Sequence, residues 1–316
     1  MAFGFILETA SEAETRWTSA AGLLLRWLSG KGTGSMEHIT VRFWGVRGSV
    51  PSPGPATVRY GGNTPCVSVH LPGEKVVVFD AGTGIRTLGN LLAQNDNQIF
   101  VIVSHSHWDH IQGFPFFIPI YMPDRRISVM SFRVDSAMMH LLLRQMDGAH
   151  FPVTLDKLPS TVEIVDEQRL KLLLGDKFQL SPISANHPGG GFGYRIGDHE
   201  RNVIYLTDNE LDPPYPRSTN FDDFVRFCRA ADVLIHDAQY IEEDLRLKRG
   251  WGHSAVGQAC ELAAAAGVRH LVLYHHDPER SDDDLDRIQE QARDWFRSRK
   301  LDIRCTAAFE GLALEI

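Results

Sequence analysis

From residue 38 onward the chain is built of short apolar runs, each ended by polar or turn-forming residues. His38–Trp44 alternates roughly apolar and polar, the period of a strand with one buried face. Cys66–His70 and Lys75–Phe79 are separated by a Pro-Gly turn and read as paired strands. Further strands are predicted over 98–104, 127–131, 161–165, 178–183, 194–196, 202–206, 231–235, 268–273 and 303–308, the last closing an edge. Helices are predicted over 85–94, 134–146, 221–228, 255–266 and 282–299. Ser254 is expected to cap the helix starting at Ala255, and Gly267 to stop it. Several strands precede the first long helix, which points to sheets covered by helices and not to simple βαβ alternation.

Gly113–Pro123 holds three prolines among aromatic and large apolar neighbours, so it cannot be a regular helix. We read about 114–160 as an aromatic, Pro-rich insert in which Phe114, Phe116, Phe117, Tyr121 and Phe151 wall a substrate pocket. Residues 1–35 are read as an N-terminal appendage or linker, helical or disordered, ahead of one domain over 36–316.

Composition narrows the class. At 316 residues, 43% apolar and 23% charged, the chain has the balance of a soluble globular enzyme. No apolar run approaches a membrane span, and the first 35 residues make a poor signal or transit peptide. Four cysteines without C-x-x-C spacing fit reduced, buried thiols in a cytoplasmic protein. A net charge of −8 counts against wrapping long nucleic acid. Asp80-x-Gly82-x-Gly84 lacks the glycine spacing of a dinucleotide fingerprint.

The candidate chemistry sits at the strand ends. Asp80, the cluster His105-Ser-His107-Trp-Asp109-His110, His187, Asp208 and His275 each follow an apolar run. Imidazole and carboxylate ligands converging from rigid elements suit Zn, and also Mn or Fe(II).

These residues resemble the metallo-β-lactamase-fold hydrolases, whose H-x-H-x-D-H signature is matched by His105–His110 and followed, in order, by His187, Asp208 and His275. The likeness runs over about 38–316 and implies an α/β, four-layer αββα sandwich of two mixed sheets covered by helices. It implies two divalent metal ions, Zn first, with His105, His107 and His187 on one and Asp109, His110 and His275 on the other. Asp208 would bridge them, and Asp80 would orient the ligand loop from behind. His276 is a second candidate for the final ligand, although alignment on the strand end favours His275.

The phosphodiesterase-like branch, with its tRNA 3′-processing endonucleases and cyclic-nucleotide phosphodiesterases, is the most similar. It would use Asp109 to orient a hydroxide shared by the metals and His253, in Gly252-His253-Ser254, to serve the leaving oxygen. Arg47 and Asn63 are candidate phosphate contacts. No long basic arm for a tRNA body is visible, so the expected substrate is a small or cyclic nucleotide or a short phosphodiester, with long nucleic acid disfavoured. Relatives often form homodimers. The alternatives are a thioester, lactone or β-lactam hydrolase on the same scaffold and a ribonuclease processing RNA ends. A di-iron oxidoreductase lacks its flavin domain here, and a non-enzymatic protein would have lost ligands.

Overall fold

The computed structural model describes residues 38–131 and 142–316; the proposed 1–35 appendage and most of the predicted 134–146 helix lie outside the described residues. The first sheet comprises β1 (Thr40–Gly45), β2 (Cys66–Leu71), β3 (Lys75–Phe79), β4 (Gln98–Ile102), β5 (Arg126–Met130), β6 (Thr161–Ile164) and β13 (Ala313–Glu315). The second comprises β7 (Gln179–Ser184), β8 (Phe192–Gly197), β9 (Asn202–Leu206), β10 (Val233–Asp237), β11 (His270–Tyr274) and β12 (Arg304–Ala307). Their orders are β13-β1-β2-β3-β4-β5-β6 and β12-β11-β10-β9-β8-β7. Both are mixed: β3 to β6 and β9 to β12 pair in parallel, and the remaining neighbours antiparallel.

Strand periodicity explains the layering. Val77 and Phe79 of β3 enter the core between the sheets, where they join Tyr205 of β9, Ile235 of β10 and Tyr274 of β11. The intervening Val76 and Val78 face outward onto Ile85, Leu88 and Leu92 of α1 (Ile85–Leu92). Leu206, Leu234 and Leu273 likewise turn outward, onto Phe224, Leu262 and Phe296. Those three belong to α4 (Phe221–Cys228), α6 (Val256–Ala266) and α7 (Asp282–Ser298), with the short α5 (Leu245–Lys248) between the first two. Period-two strands with both faces apolar therefore require helices on both outer sides. The result is an αββα sandwich.

Some local expectations change. Ser254 does not cap α6: its hydroxyl donates to Asn209 O and accepts from Leu211 N, and Ala255 takes the cap position. Gly267 does end that helix, at φ 64°. The short helix α3 (Glu167–Leu174) and the edge strand β13 carry too little periodic signal to be predicted. Within the proposed 114–160 insert, the strand expected over 127–131 is present as Arg126–Met130 of the first sheet. Among the described residues, no helix is long and apolar enough to cross a membrane.

Phe79 stacks on Tyr205 and Tyr194 at centroid distances of 5.1 and 5.6 Å, joining the two sheets. Truncation by Phe79→Ala is expected to cost about 3–5 kcal/mol, read as a lowered urea midpoint. A midpoint unchanged from the parent protein would show that this stack is not a principal sheet-to-sheet contact.

Candidate metal centre

The parallel strands of the two sheets end at one edge of the sandwich, and their last residues turn into a shared cleft. Asp80 follows β3, His105 and His107 follow β4, Asp208 follows β9, Asp237 ends β10 and His275 follows β11. Asp109 and His110 lie on α2 (Trp108–Ile111), a single helical turn begun by the same loop. Asp80, Asp208 and His275 have positive φ of 61°, 49° and 62°. Each therefore stops its strand abruptly and turns its side chain out of the pleat, a sparsely populated conformation that the surroundings must hold.

Two ligand sets meet at Asp208. Its Oδ2 lies 3.6 Å from His105 Nε2 and 3.8 Å from His187 Nε2, and His107 Nδ1 is 3.0 Å from His187 Nε2. Its Oδ1 lies 3.2 Å from both His110 Nε2 and His275 Nε2, and Asp109 Oδ2 is 3.2 Å from the same two nitrogens. The donor atoms of His105, His107, His187 and Asp208 fall within 4.8 Å of one another, as do those of Asp109, His110 and His275, and those of Asp208, Asp237, His253 and His275.

The residues fit divalent cations. His105 Nε2 and His110 Nε2 are buried without a hydrogen-bond partner, which is costly for a polar atom unless something else satisfies it. Imidazole nitrogens and two carboxylates form the borderline N/O donor set that Zn, Mn and Fe(II) accept. This is a dinuclear metal-binding site.

Partners behind the ligands fix their tautomers. His110 Nδ1 donates to Asp80 Oδ2 at 2.7 Å, His275 Nδ1 to Gln239 Oε1 at 2.8 Å and His187 Nδ1 to the Gly252 carbonyl at 3.0 Å. Each bond leaves the Nε2 lone pair facing the cluster. Burial pushes the His105 imidazole well below its usual range, helped by His110, and burial holds His187 down to about 4. Both therefore stay neutral, as ligands must. Burial opposes ionisation of Asp208, but His110, His275 and His105 outweigh it and hold the carboxyl well below its ordinary value.

Close backbone approach completes the cleft. A Cβ at Gly252, where φ is 94°, would lie 2.0 Å from His187 Nδ1; one at Gly48 would lie 2.5 Å from the His275 ring. Only glycine leaves room for the imidazoles at those two positions. Ser49 N donates to Asp109 Oδ2 at 2.8 Å.

His253 stands beside the second set, its ring stacked on His275 at 5.0 Å. Its Nδ1 donates to Asp237 Oδ2 at 2.7 Å. Burial works against its protonation, but Asp237 prevails and pushes the imidazole up to about 9. Asp237 and Gln239 were missed in the sequence. Their signal was present, since His236-Asp237-Ala-Gln239 ends an apolar strand as Asp208 does.

Other expected contacts lie elsewhere. Arg47 is fully buried; it donates to the carbonyls of Gly61, Asp277 and Arg280 and so ties loops together, out of reach of a phosphate. Asn63 is occupied by Glu310, to whose carboxylate both its backbone N and Nδ2 donate. Phe114 and Phe117 are fully buried in the core under α1, not in a pocket wall. Tyr121 packs at the margin of that core and donates to Pro115 O, leaving Phe116, 54% exposed, in edge contact with Phe151. His276 turns away from the cleft and donates from Nε2 to Ala308 O.

Because Asp208 faces both sets, Asp208→Ala is expected to take bound metal from about two ions per chain to nearly none, whereas His187→Ala loses about one. Gly252→Ala should weaken the His105/His107/His187 half selectively. Metal analysis after dialysis, with circular dichroism as the folding control, checks all three; an Asp208→Ala protein that keeps both ions would refute the shared role.

Residues 75–276 match the model of the beta-lactamase superfamily domain. Ribonuclease Z of Picrophilus torridus is 22% identical over 285 residues, covering 77% of this chain and 87% of that protein. Ribonuclease Z of Streptococcus gordonii is 26% identical over 246 residues, covering 64% and 79%. Among solved structures, the metallo-beta-lactamase fold protein YhfI of Bacillus subtilis superposes with a TM-score of 0.63 at 17% identity, covering 89% of this chain and all of that one. Human tRNase Z, short form, superposes at 0.55 and 19%, covering 87% and 98%. The expectation that an acidic chain disfavours long nucleic acid is thereby overturned: relatives across most of its length are ribonucleases Z. Net charge is a property of the whole surface, and bound cations set the local field. The matched domain, the sandwich and the two-metal cluster place the chain in the beta-lactamase superfamily, as a metal-dependent hydrolase of the metallo-β-lactamase fold.

Proposed function

We propose that this protein is a ribonuclease that cleaves a phosphodiester bond while processing an RNA end, with Zn as its first-choice metal. The observation that carries this reading is the hydrogen-bonded His253–Asp237 pair, buried beside the cluster and within reach of Asp208 and His275. Expulsion of an alkoxide from phosphorus calls for a proton donor at that place. The similarity to ribonucleases Z supports RNA as the substrate. Phe114 and Phe117, two of the aromatics that favoured a small ligand, are buried in the core and do not face a substrate.

When bound, two divalent cations supply Lewis acidity at the phosphate and lower the pKa of an attacking water. The chain's own residues do the rest. Asp109, its Oδ2 fixed by Ser49 N, orients the nucleophile by accepting its hydrogen bond. Asp237 holds His253 by Nδ1, so Nε2 is the atom that delivers a proton to the leaving ribose oxygen. His187 and His275 flank the ring at 5.4 and 5.0 Å, so it has little room to turn. His107 is the one exposed member of the cluster, so substrate enters beside it.

His253→Ala is expected to lower kcat on a 3′-extended RNA by about 10²–10⁴-fold while metal content and KM hold, with Asp237→Asn giving a smaller loss. A panel of zinc- and manganese-loaded protein against that RNA, a bis-aryl phosphodiester, a cyclic nucleotide, a lactone and a β-lactam tests the substrate class. Turnover confined to the carbonyl compounds would sink the reading, and turnover confined to the small phosphodiesters would restrict the enzyme to short substrates.

A further inference from the structure

Two tryptophans close to cluster residues in the chain are largely exposed to water. Trp108 is 68% exposed and Trp251 62% exposed. A single exposed apolar side chain needs no explanation. These two, however, each adjoin a residue that belongs to, or holds, the same cluster. Trp108 directly follows His107, the exposed member of the cluster. His107 Nδ1 lies 3.0 Å from His187 Nε2, and His187 Nδ1 donates to the carbonyl of Gly252, which directly follows Trp251. One short path of chain neighbours and contacts therefore links the two residues through the cluster.

Both are presented by rigid backbone. Trp108 opens α2, whose next three residues, Asp109, His110 and Ile111, are buried. Trp251 is bracketed by Gly250 and Gly252, with φ of 93° and 94°, in a turn that only glycines form easily. Glu210, itself 1% exposed, accepts from Gly250 N at 2.8 Å and from Gly252 N at 3.0 Å. A buried carboxylate thus pins the backbone on both sides of a side chain that makes no use of burial. Glu210 is two residues from Asp208, so the metal-site loop also sets the position of Trp251. Preordering a large flat ring in solvent gains nothing for the fold, but it lowers the entropy cost of stacking a flat ligand on it.

We propose that Trp108 and Trp251 are stacking platforms for the bases flanking the scissile phosphate of a single-stranded RNA segment. This rests on the reading of the site as a ribonuclease. Stacking serves any base, because each has a π face, and it binds the substrate without a basic groove.

The test uses zinc-loaded protein carrying Trp108→Ala, Trp251→Ala, both changes, or Trp→Phe at each position. Substrates are a 3′-extended RNA and the same RNA with abasic riboses flanking the scissile bond. Each alanine change is expected to raise KM about ten-fold and the double change about a hundred-fold, with kcat held within about three-fold. Phenylalanine should restore most of the loss, and the double variant should no longer distinguish base-bearing from abasic RNA. Quenching of indole emission by an oligonucleotide with a non-hydrolysable methylene linkage gives an independent reading of stacking, and should be lost in the double variant. A double variant with parental KM and undiminished discrimination against abasic RNA overturns the proposal while leaving the ribonuclease reading intact. Failure of the parent protein to cleave RNA with Zn or Mn overturns the ribonuclease reading; absence of quenching in the parent overturns the platforms.

Discussion

Asp80 is a carboxylate with no access to water, and the site is arranged around satisfying it. It accepts from Ser104 N and Ser104 Oγ at 2.7 and 2.8 Å, from His110 Nδ1 at 2.7 Å and from Tyr205 OH at 2.7 Å. An ionised group at this depth is tolerable only when its lone pairs are used. Three of these donors come from the loop and helix that carry the ligands, and the fourth crosses from the other sheet. One side chain therefore fixes the start of the ligand loop, the tautomer of His110 and the distance between the sheets.

The same logic repeats around the cleft at lower cost. Gln239 holds His275, Gly252 holds His187 and Asp237 holds His253, each through Nδ1. Because the ring nitrogens behind are occupied, those in front are aimed before anything binds. The left-handed backbone at Asp80, Asp208 and His275 belongs to this preorganisation. Each residue sits in a conformation it would leave if its surroundings were looser.

How much of this the sequence disclosed follows from which signals are local. Apolar runs with polar ends are local, so the strands delivering Asp80, His105, Asp208 and His275 were legible, as was the layered class. Arg47, Asn63, Phe114 and Phe117 were misread because a residue's type does not say which side of a loop it faces. Arg47 looks like a phosphate ligand until three carbonyls are found around its guanidinium. Asp237 was overlooked for the opposite reason: its importance lies in a partner 16 residues away, on another element. The residues of the resembling pattern lie together in one cleft, but charge summed over the chain was a poor guide to partners, since most of the chain's length is shared with ribonucleases Z.

The reach of the site along the chain has a consequence for how the protein folds and survives. Asp109 Oδ2 meets Ser49 N across 60 residues and approaches His275 Nε2 across 166. Contacts of such separation form late, after both sheets have been built and docked. A nascent or half-folded chain therefore offers no complete cradle, and ions captured there draw only on the finished state. By mass action, loading then deepens the native basin and not its competitors. Metal starvation would be felt first as faster proteolysis, with no change needed in any residue of the fold.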